Sequence, residues 1–95
     1  EPQMMGYHTL AYTRIIASEA TLIPAIVKKL SSIKEVLECN NVTGKYALII
    51  KVIAFDNNHL RSVLYDKIHP INGVEGINTI IVFETSFQRN VPINL

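Results

Sequence analysis

The chain has 95 residues, enough for one domain with a single small hydrophobic core. Apolar residues make up 48% and charged residues 18%, so the chain is globular and less charged than an average domain. A formal net charge of +1 gives no electrostatic reason for direct DNA binding, and no apolar stretch is long enough to span a bilayer. The single cysteine, Cys39, excludes an internal disulfide and suits the reducing cytoplasm, where we expect the protein to reside.

The first third of the chain predicts a strand followed by a helix. Residues 7–17 are rich in aromatic and β-branched side chains, which is typical of a strand. Thr21 is predicted to cap the helix, because Pro24 is tolerated only in a first helical turn. Its apolar side chains then recur at helical spacing, and these are Ile23, Ile26, Val27 and Leu30.

The rest of the chain predicts three strands and a second helix. Residues 33–42 and 46–55 are predicted strands, joined by a glycine-bearing hairpin turn at 43–45. Asp56 is a suitable N-cap for the second helix, which we expect to end before the His-Pro pair that follows it. Residues 77–85 are predicted to form the last strand.

This element order predicts an α+β, ferredoxin-like βαββαβ fold, an antiparallel four-stranded sheet with two helices on one face. We expect residues 6–87 to form the domain and residues 88–95 a C-terminal tail. Residues 1–5 are interpreted as leader residues or the cut end of a longer chain.

Both faces of the predicted third strand are apolar, although the helices can cover only one of them. The set assigned to the helix face is Leu48, Ile50, Val52 and Ala54, with Ile80 and Val82 from the last strand. The opposite face is assigned Ala47, Ile49, Lys51 and Ile53, with Thr79, Ile81 and Phe83. Exposed apolar patches of this size mark interaction surfaces, so a second copy is expected to cover this face and form a dimeric α/β barrel. The predicted dimer interface comprises Ile49, Lys51, Ile53, Ile81 and Phe83. The alternative is that the tail or a missing segment folds over the face.

The polar residues do not indicate catalysis or a metal site. The three histidines, His8, His59 and His69, have neither i, i+4 spacing nor an acidic residue at a metal-site interval. The serines lie in no nucleophile elbow, and the acids are scattered. We therefore expect no enzyme activity, no metal and no cofactor.

Two glycine-bearing turns, at residues 42–46 and 71–79, stand out instead. Glycine bares backbone N–H and C=O groups, which together with a hydroxyl such as that of Thr79 suit a small zwitterion. The sequence predicts that these turns lie at opposite ends of one protomer's sheet and meet only between protomers. The alternative is that both turns are purely structural.

Several moderate motifs occur in an order that resembles a known family, and the resemblance covers about residues 10–85. They are Val36 and Glu38, then Thr43-Gly44-Lys45-Tyr46 and Leu48 to Val52, then Ile71, Gly73-Val74 and Thr79 to Val82. This succession resembles the effector-binding domain of the Lrp/AsnC transcription regulators, also called the regulation-of-amino-acid-metabolism (RAM) domain.

The resemblance implies sheets that pair face to face into homodimers, and dimers that gather into tetramers to octamers. It also implies an amino acid or related metabolite bound between dimers. The effector-site candidates carried over are Gly44, Tyr46, Gly73, Val74 and Thr79, with Ala47 carried over only as a position. The family typically has an aspartate where Ala47 stands, so we expect amino-acid binding to be altered or lost.

Full members of that family carry an N-terminal helix-turn-helix, for which this sequence has no segment. The chain is thus expected to be a stand-alone effector domain or the C-terminal part of a regulator. We expect that it binds no DNA itself and that a DNA-binding regulator is a possible partner. No membrane partner is expected. The function predicted is a non-catalytic ligand-sensing and oligomerisation domain; the alternative is a purely structural oligomerisation module with a lapsed pocket.

Overall fold

The computed structural model describes residues 6–92, so the predicted leader at 1–5 and the last three residues of the predicted tail lie outside the described residues. The elements are β1 (Thr9–Ala17), α1 (Ile23–Ser31), β2 (Val36–Asn41), β3 (Ala47–Ala54), α2 (Asn57–Ser62) and β4 (Val74–Ile81). The strands form one sheet in the order β2-β3-β1-β4, and every neighbouring pair is antiparallel. This confirms the predicted ferredoxin-like α+β fold, whereas the dimeric barrel stays a prediction.

The start of α1 differs from the prediction. A short 3₁₀ turn, Ala20–Leu22, precedes the helix, and the backbone N–H of Leu22 donates to the carbonyl of Glu19 at 3.1 Å. The Thr21 hydroxyl bonds the Glu19 carboxylate at 3.3 Å and caps nothing, so the predicted N-cap is wrong. The 3₁₀ turn satisfies backbone groups that a capping hydroxyl would otherwise serve. Pro24 does lie in the first turn, as predicted.

The second helix begins at its predicted cap, where Asp56 Oδ1 accepts the backbone N–H of His59 at 2.8 Å. It then widens into a π-helical segment, Val63–Ile68, which ends just before Pro70. No helix within the described part of the chain is long and apolar enough to cross a membrane.

One hydrophobic core lies between the helices and the sheet. The sheet contributes alternate residues of its two central strands, all fully buried or nearly so: Ala11, Ile15, Leu48, Ile50 and Val52. The helical layer contributes Ile26, Leu30, Leu60, Val63, Leu64 and Ile68. The helix-facing half of the third strand was therefore predicted correctly.

The predicted faces of β4 are wrong by one residue. Residues paired across neighbouring antiparallel strands lie on the same face of the sheet. Ile81 pairs with the buried Ala11 and so lies on the helix face, whereas Ile80 pairs with Tyr12 on the opposite, open face. The run from Thr79 to Phe83 is apolar on both sides, so only its register with β1 could assign it.

The Thr79 hydroxyl provides the physical reason for this register. It bonds the Thr13 hydroxyl at 2.8 Å on the helix face, and Thr13 is fully buried. A buried hydroxyl needs a partner, and the two threonines satisfy one another across β1 and β4. Phe83 follows the end of β4 and is almost fully exposed. A role for Ile81 and Phe83 in a dimer interface stays a prediction.

The open face exposes less apolar surface to solvent than the sequence predicts. Ala47 and Ile53 are already buried within the chain, while Ile49 and Lys51 are partly buried. The exposed apolar surface of this face centres on Tyr12, 39% exposed, and Ile80, 72% exposed.

A buried acid links the segment before β2 to α2. Glu35 is 2% exposed, and its carboxylate contacts His59 Nε2 at 3.1 Å and Lys67 Nζ at 3.3 Å. The backbone N–H of Phe55 donates to His59 Nδ1 at 2.9 Å, so the other ring nitrogen, Nε2, carries the proton that reaches Glu35. The carbonyl of Glu35 also accepts the backbone N–H of Ile53.

This network decides the charge state of the acid. Burial acts to raise the pKa of Glu35, but hydrogen bonds from its own backbone N–H, from His59 and from Lys67 hold that pKa below its ordinary value. Glu35 therefore stays ionised and hydrogen-bonded at neutral pH, and its contribution to stability is lost as pH falls through its lowered pKa.

The first prediction concerns Glu35→Gln, measured by chemical unfolding at neutral pH and at an acidic pH well below the lowered pKa of Glu35. At neutral pH we expect a loss of about 1–3 kcal/mol in the free energy of unfolding, because a charge-assisted network is replaced by a neutral amide. In acid the wild type protonates and resembles Gln, so the difference should shrink. Glu75→Gln, which alters an exposed acid of β4, is the control and should change stability by less than about 0.5 kcal/mol. An equal loss at both pH values would contradict this assignment.

Candidate functional site

The two glycine-bearing turns meet at the end of β1. The backbone N–H of Ala17 donates to the carbonyl of Tyr46 at 2.8 Å, and the next N–H, of Ser18, donates to the carbonyl of Gly73 at 2.8 Å. The prediction that the turns lie at opposite ends of the sheet is therefore wrong. Both β3 and β4 run antiparallel to β1, so both begin where β1 ends.

The β2–β3 turn has an unusual backbone. Gly44 has φ +113° and Tyr46 has φ +57°, in the left-handed region that costs a non-glycine residue about 1–2 kcal/mol. The hydrogen bond from Ala17 to the Tyr46 carbonyl holds this conformation, and the Lys45 ammonium lies 5.3 Å from the centre of the Tyr46 ring. Strain of this kind concentrates at binding sites and is the strongest local indication of one here.

Gly44 also leaves room for a side chain from the neighbouring strand. A Cβ atom added at Gly44 would lie 3.0 Å from a guanidinium nitrogen of Arg14, on β1. The Arg14 side chain therefore extends along the open face and ends against this turn. Glycine is required here by the backbone angle, whereas the tip of the flexible arginine side chain could move away from a Cβ atom.

The α2–β4 connection packs against the start of α1. Gly73 has φ +96°, and a Cβ atom at this position would lie 2.9 Å from Leu22 Cδ1. Its neighbour Val74 packs partly buried against the same core. This turn is thus held by its packing on Leu22 and the core, and by the hydrogen bond that the backbone N–H of Ser18 donates to it.

Five of the six predicted effector-site residues gather at this end of the sheet: Gly44, Tyr46, Ala47, Gly73 and Val74. The sixth, Thr79, does not. It lies five residues along β4 from Val74, about 16 Å away at strand spacing, and its hydroxyl bonds Thr13 inside the helix face. Ala47 is 4% exposed, so this position offers a methyl group and no polar group.

Two polar groups of the structure were missed by the sequence analysis. Arg14 is a lone cation in the apolar run Tyr-Thr-Arg-Ile-Ile of β1, a pattern like that of Lys51 in β3 and a usable signal. Glu35 gave no comparable signal, because its burial depends on where α2 places His59 and the following π-helical segment places Lys67.

The described residues show little reactive chemistry. Residues 6–92 contain no group of three or more His, Cys, Asp or Glu side chains placed to hold a metal ion. Burial raises the pKa of the Cys39 thiol, which disfavours the nucleophilic thiolate. The arrangement at the two turns is suited to binding by backbone groups.

The chain is similar to bacterial and archaeal transcription regulators. The family model of the Lrp/AsnC ligand binding domain matches residues 10–92. Regulatory protein AsnC of Escherichia coli (strain K12) is 32% identical over 90 residues, covering 95% of this chain and 59% of AsnC. The HTH-type transcriptional regulator FL11 of Pyrococcus abyssi is 33% identical over 84 residues, covering 88% of this chain and 54% of FL11. The chain thus spans less than two-thirds of the length of these relatives.

Solved structures show the same fold. The structure of E. coli AsnC has a TM-score of 0.88 at 32% identity, covering 96% of this chain and 61% of that one. A transcriptional regulator from Neisseria meningitidis, solved as a complex with L-Met, has a TM-score of 0.87 and covers 99% of this chain and 62% of that one. At 19% identity, the second likeness shows the fold alone. The match of the family model over most of the chain, together with this fold, shows that the chain belongs to the Lrp/AsnC ligand binding domain family.

Proposed function

We propose that this chain is the ligand-sensing and oligomerising part of an Lrp/AsnC-type transcription regulator. In this proposal it binds an amino acid or a related small metabolite at the paired turns, where one dimer meets another, and catalyses no reaction. The observation that carries the proposal is the convergence of two glycine turns on consecutive N–H groups, those of Ala17 at the end of β1 and of Ser18 directly after it.

The geometry of the turns supports ligand binding over a purely structural role. A structural hairpin can use a relaxed two-residue turn, whereas this one keeps Tyr46 in a strained conformation. Gly44, Tyr46 and Gly73, three of the four residues with positive φ in residues 6–92, lie in the two turns. Turns with such backbone conformations can present N–H groups that bind the carboxylate of a small metabolite.

The open face of the sheet supports the oligomeric part of the proposal. Tyr12 and Ile80 are adjacent across β1 and β4 and are both exposed, Ile80 the more so, with Ile49 beside them. Covering each large apolar side chain would contribute about 1.5–3 kcal/mol. A second copy of the same face supplies complementary apolar surface, and the helices of each copy would remain on the outside.

We expect at least one metabolite to stabilise the folded chain. Thermal unfolding is measured at fixed protein concentration against each of the twenty amino acids, L-methionine included, and against their keto acids, all at millimolar concentration. A ligand present at 100 times its dissociation constant adds about 2.7 kcal/mol, which is a shift of several degrees for a domain of this size.

The control for this screen is a variant that removes a side chain of the site. Tyr46→Gly keeps the positive φ and removes the ring, which is only partly buried against the core, so the variant should fold and lose the shift. If no compound shifts the unfolding temperature, the alternative of a structural oligomerisation module replaces the sensing proposal.

We expect Ile80→Asp to dissociate the dimer. The substitution places a carboxylate at the centre of the apolar patch, which should weaken self-association at least about tenfold, or about 1.4 kcal/mol. Sedimentation over a range of concentrations measures the effect.

Tyr65→Asp provides the matched control, because Tyr65 is also large, apolar and exposed but lies in the helical layer. It should leave assembly unchanged. Equal assembly of the wild type and Ile80→Asp would refute the proposal that the open face is the dimer contact.

A further inference from the structure

The residues after β4 form an arm that is not packed on the rest of the chain. The last backbone hydrogen bond before it joins the Val82 N–H to the Leu10 carbonyl at 2.8 Å. Within residues 6–92, no backbone hydrogen bond and no ion pair joins residues 83–92, the C-terminal arm, to the other residues. Its three large apolar side chains are therefore exposed, Phe83 by 99%, Phe87 by 73% and Val91 by 87%.

The arm has the sequence pattern of a strand with one apolar face. Alternate positions carry its aromatic and β-branched side chains, which are Phe83, Thr85, Phe87 and Val91, together with Arg89. The positions between them are all polar, and they are Glu84, Ser86, Gln88 and Asn90. Such alternation is typical of a strand that buries one face. The arm therefore has the pattern of a paired strand but lacks a partner within residues 6–92.

An apolar groove lies at the edge of the sheet away from β4. It runs between the edge strand β2 and α1, and its volume is about 280 Å³. About 150 Å³ is enough to hold a benzene ring, so an aromatic side chain fits. The apolar side chains that line the groove are Val27, Leu30, Val36 and Leu37, with Cys39 beside them. Leu37 is 49% exposed, and the outer backbone edge of β2 has no paired strand in residues 6–92.

The groove matches the arm in charge as well as in polarity. Glu38 also lines it and forms no ion pair within residues 6–92. In the arm, the Arg89 guanidinium lies 5.0 Å from the centre of the Phe87 ring, so the cation and the aromatic ring are presented together. An arm docked by Phe87 would thus bring Arg89 close to the Glu38 carboxylate.

A second copy is better placed than the same chain to supply the arm. The arm leaves β4, which is three strand spacings, about 14 Å, from β2 of its own sheet. Residues 83–92 are all exposed, so they do not cross the sheet toward that strand. If two sheets stack on their open faces about a two-fold axis along the strands, β4 of each copy lies over β2 of the other.

We propose that the C-terminal arm of one copy docks in the groove between β2 and α1 of a second copy. The arm pairs with the edge of β2 as an added strand, Phe87 enters the groove, and Arg89 contacts Glu38. The proposal rests on the self-association proposed above. It adds a segment and a surface that join the copies outside the open face.

Cysteine cross-linking tests this docking, because the single cysteine of the chain, Cys39, lines the groove. In Phe87→Cys, mild oxidation should join position 87 of one copy to Cys39 of another, seen as a covalent dimer on a non-reducing gel and identified by peptide mapping. Combining Phe87→Cys with Cys39→Ser should abolish this dimer. Tyr65→Cys, which changes an exposed aromatic residue of the helical layer, is the matched control and should give little covalent dimer.

Sedimentation over a range of concentrations measures the contribution of the arm to assembly. Phe87→Asp should weaken self-association at least about tenfold, because it places a charge on the apolar face of the arm. Gln88→Asp introduces the same charge on the polar face and should leave self-association unchanged. Neither variant should lower the unfolding temperature of the separated copies, since the arm contacts little of its own chain.

The other outcomes separate this inference from the proposed function. If Ile80→Asp dissociates the assembly while Phe87→Asp does not, and no link to Cys39 forms between copies, the oligomeric function stands and the arm proposal is wrong. A disulfide within one chain would show that the arm folds onto its own groove, and would also refute the proposal. If the wild type stays monomeric at every concentration, both proposals are wrong.

Discussion

Two consecutive backbone N–H groups at the end of β1 constrain the whole site. Ala17 donates to one turn and Ser18 to the other, which is possible because β1 is the central strand between β3 and β4. The fold therefore places the β2–β3 turn and the α2–β4 connection side by side, although about 27 residues separate Tyr46 from Gly73 in sequence. The strained Tyr46 backbone and the packing of Gly73 on Leu22 both depend on this anchoring.

The sequence predicted the fold well, because its strongest signals are local. The continuous apolar run of β3, the Asp56 cap and the hairpin glycine each depend on neighbours a few residues away, and the structure agrees with all three. The register between strands, in contrast, depends on residues that are distant in sequence. The faces of β4 were misassigned because the end of that strand is apolar on both sides, so only its register with β1, to which the Thr13–Thr79 hydrogen bond contributes, distinguishes them.

The site was predicted only in part. Glycine marked both turns, and the predicted antiparallel arrangement of β1, β3 and β4 already requires the turns to meet at one end, so the expectation of opposite ends was an error of topology. The two polar residues that the sequence analysis missed, Glu35 and Arg14, differ in whether they have an ionic partner. Glu35 is buried and fully partnered, so it stabilises the fold, whereas Arg14 is partly buried and has no acidic partner in residues 6–92. Partnering is a property of tertiary structure, and it is what separates a structural charge from a candidate binding group.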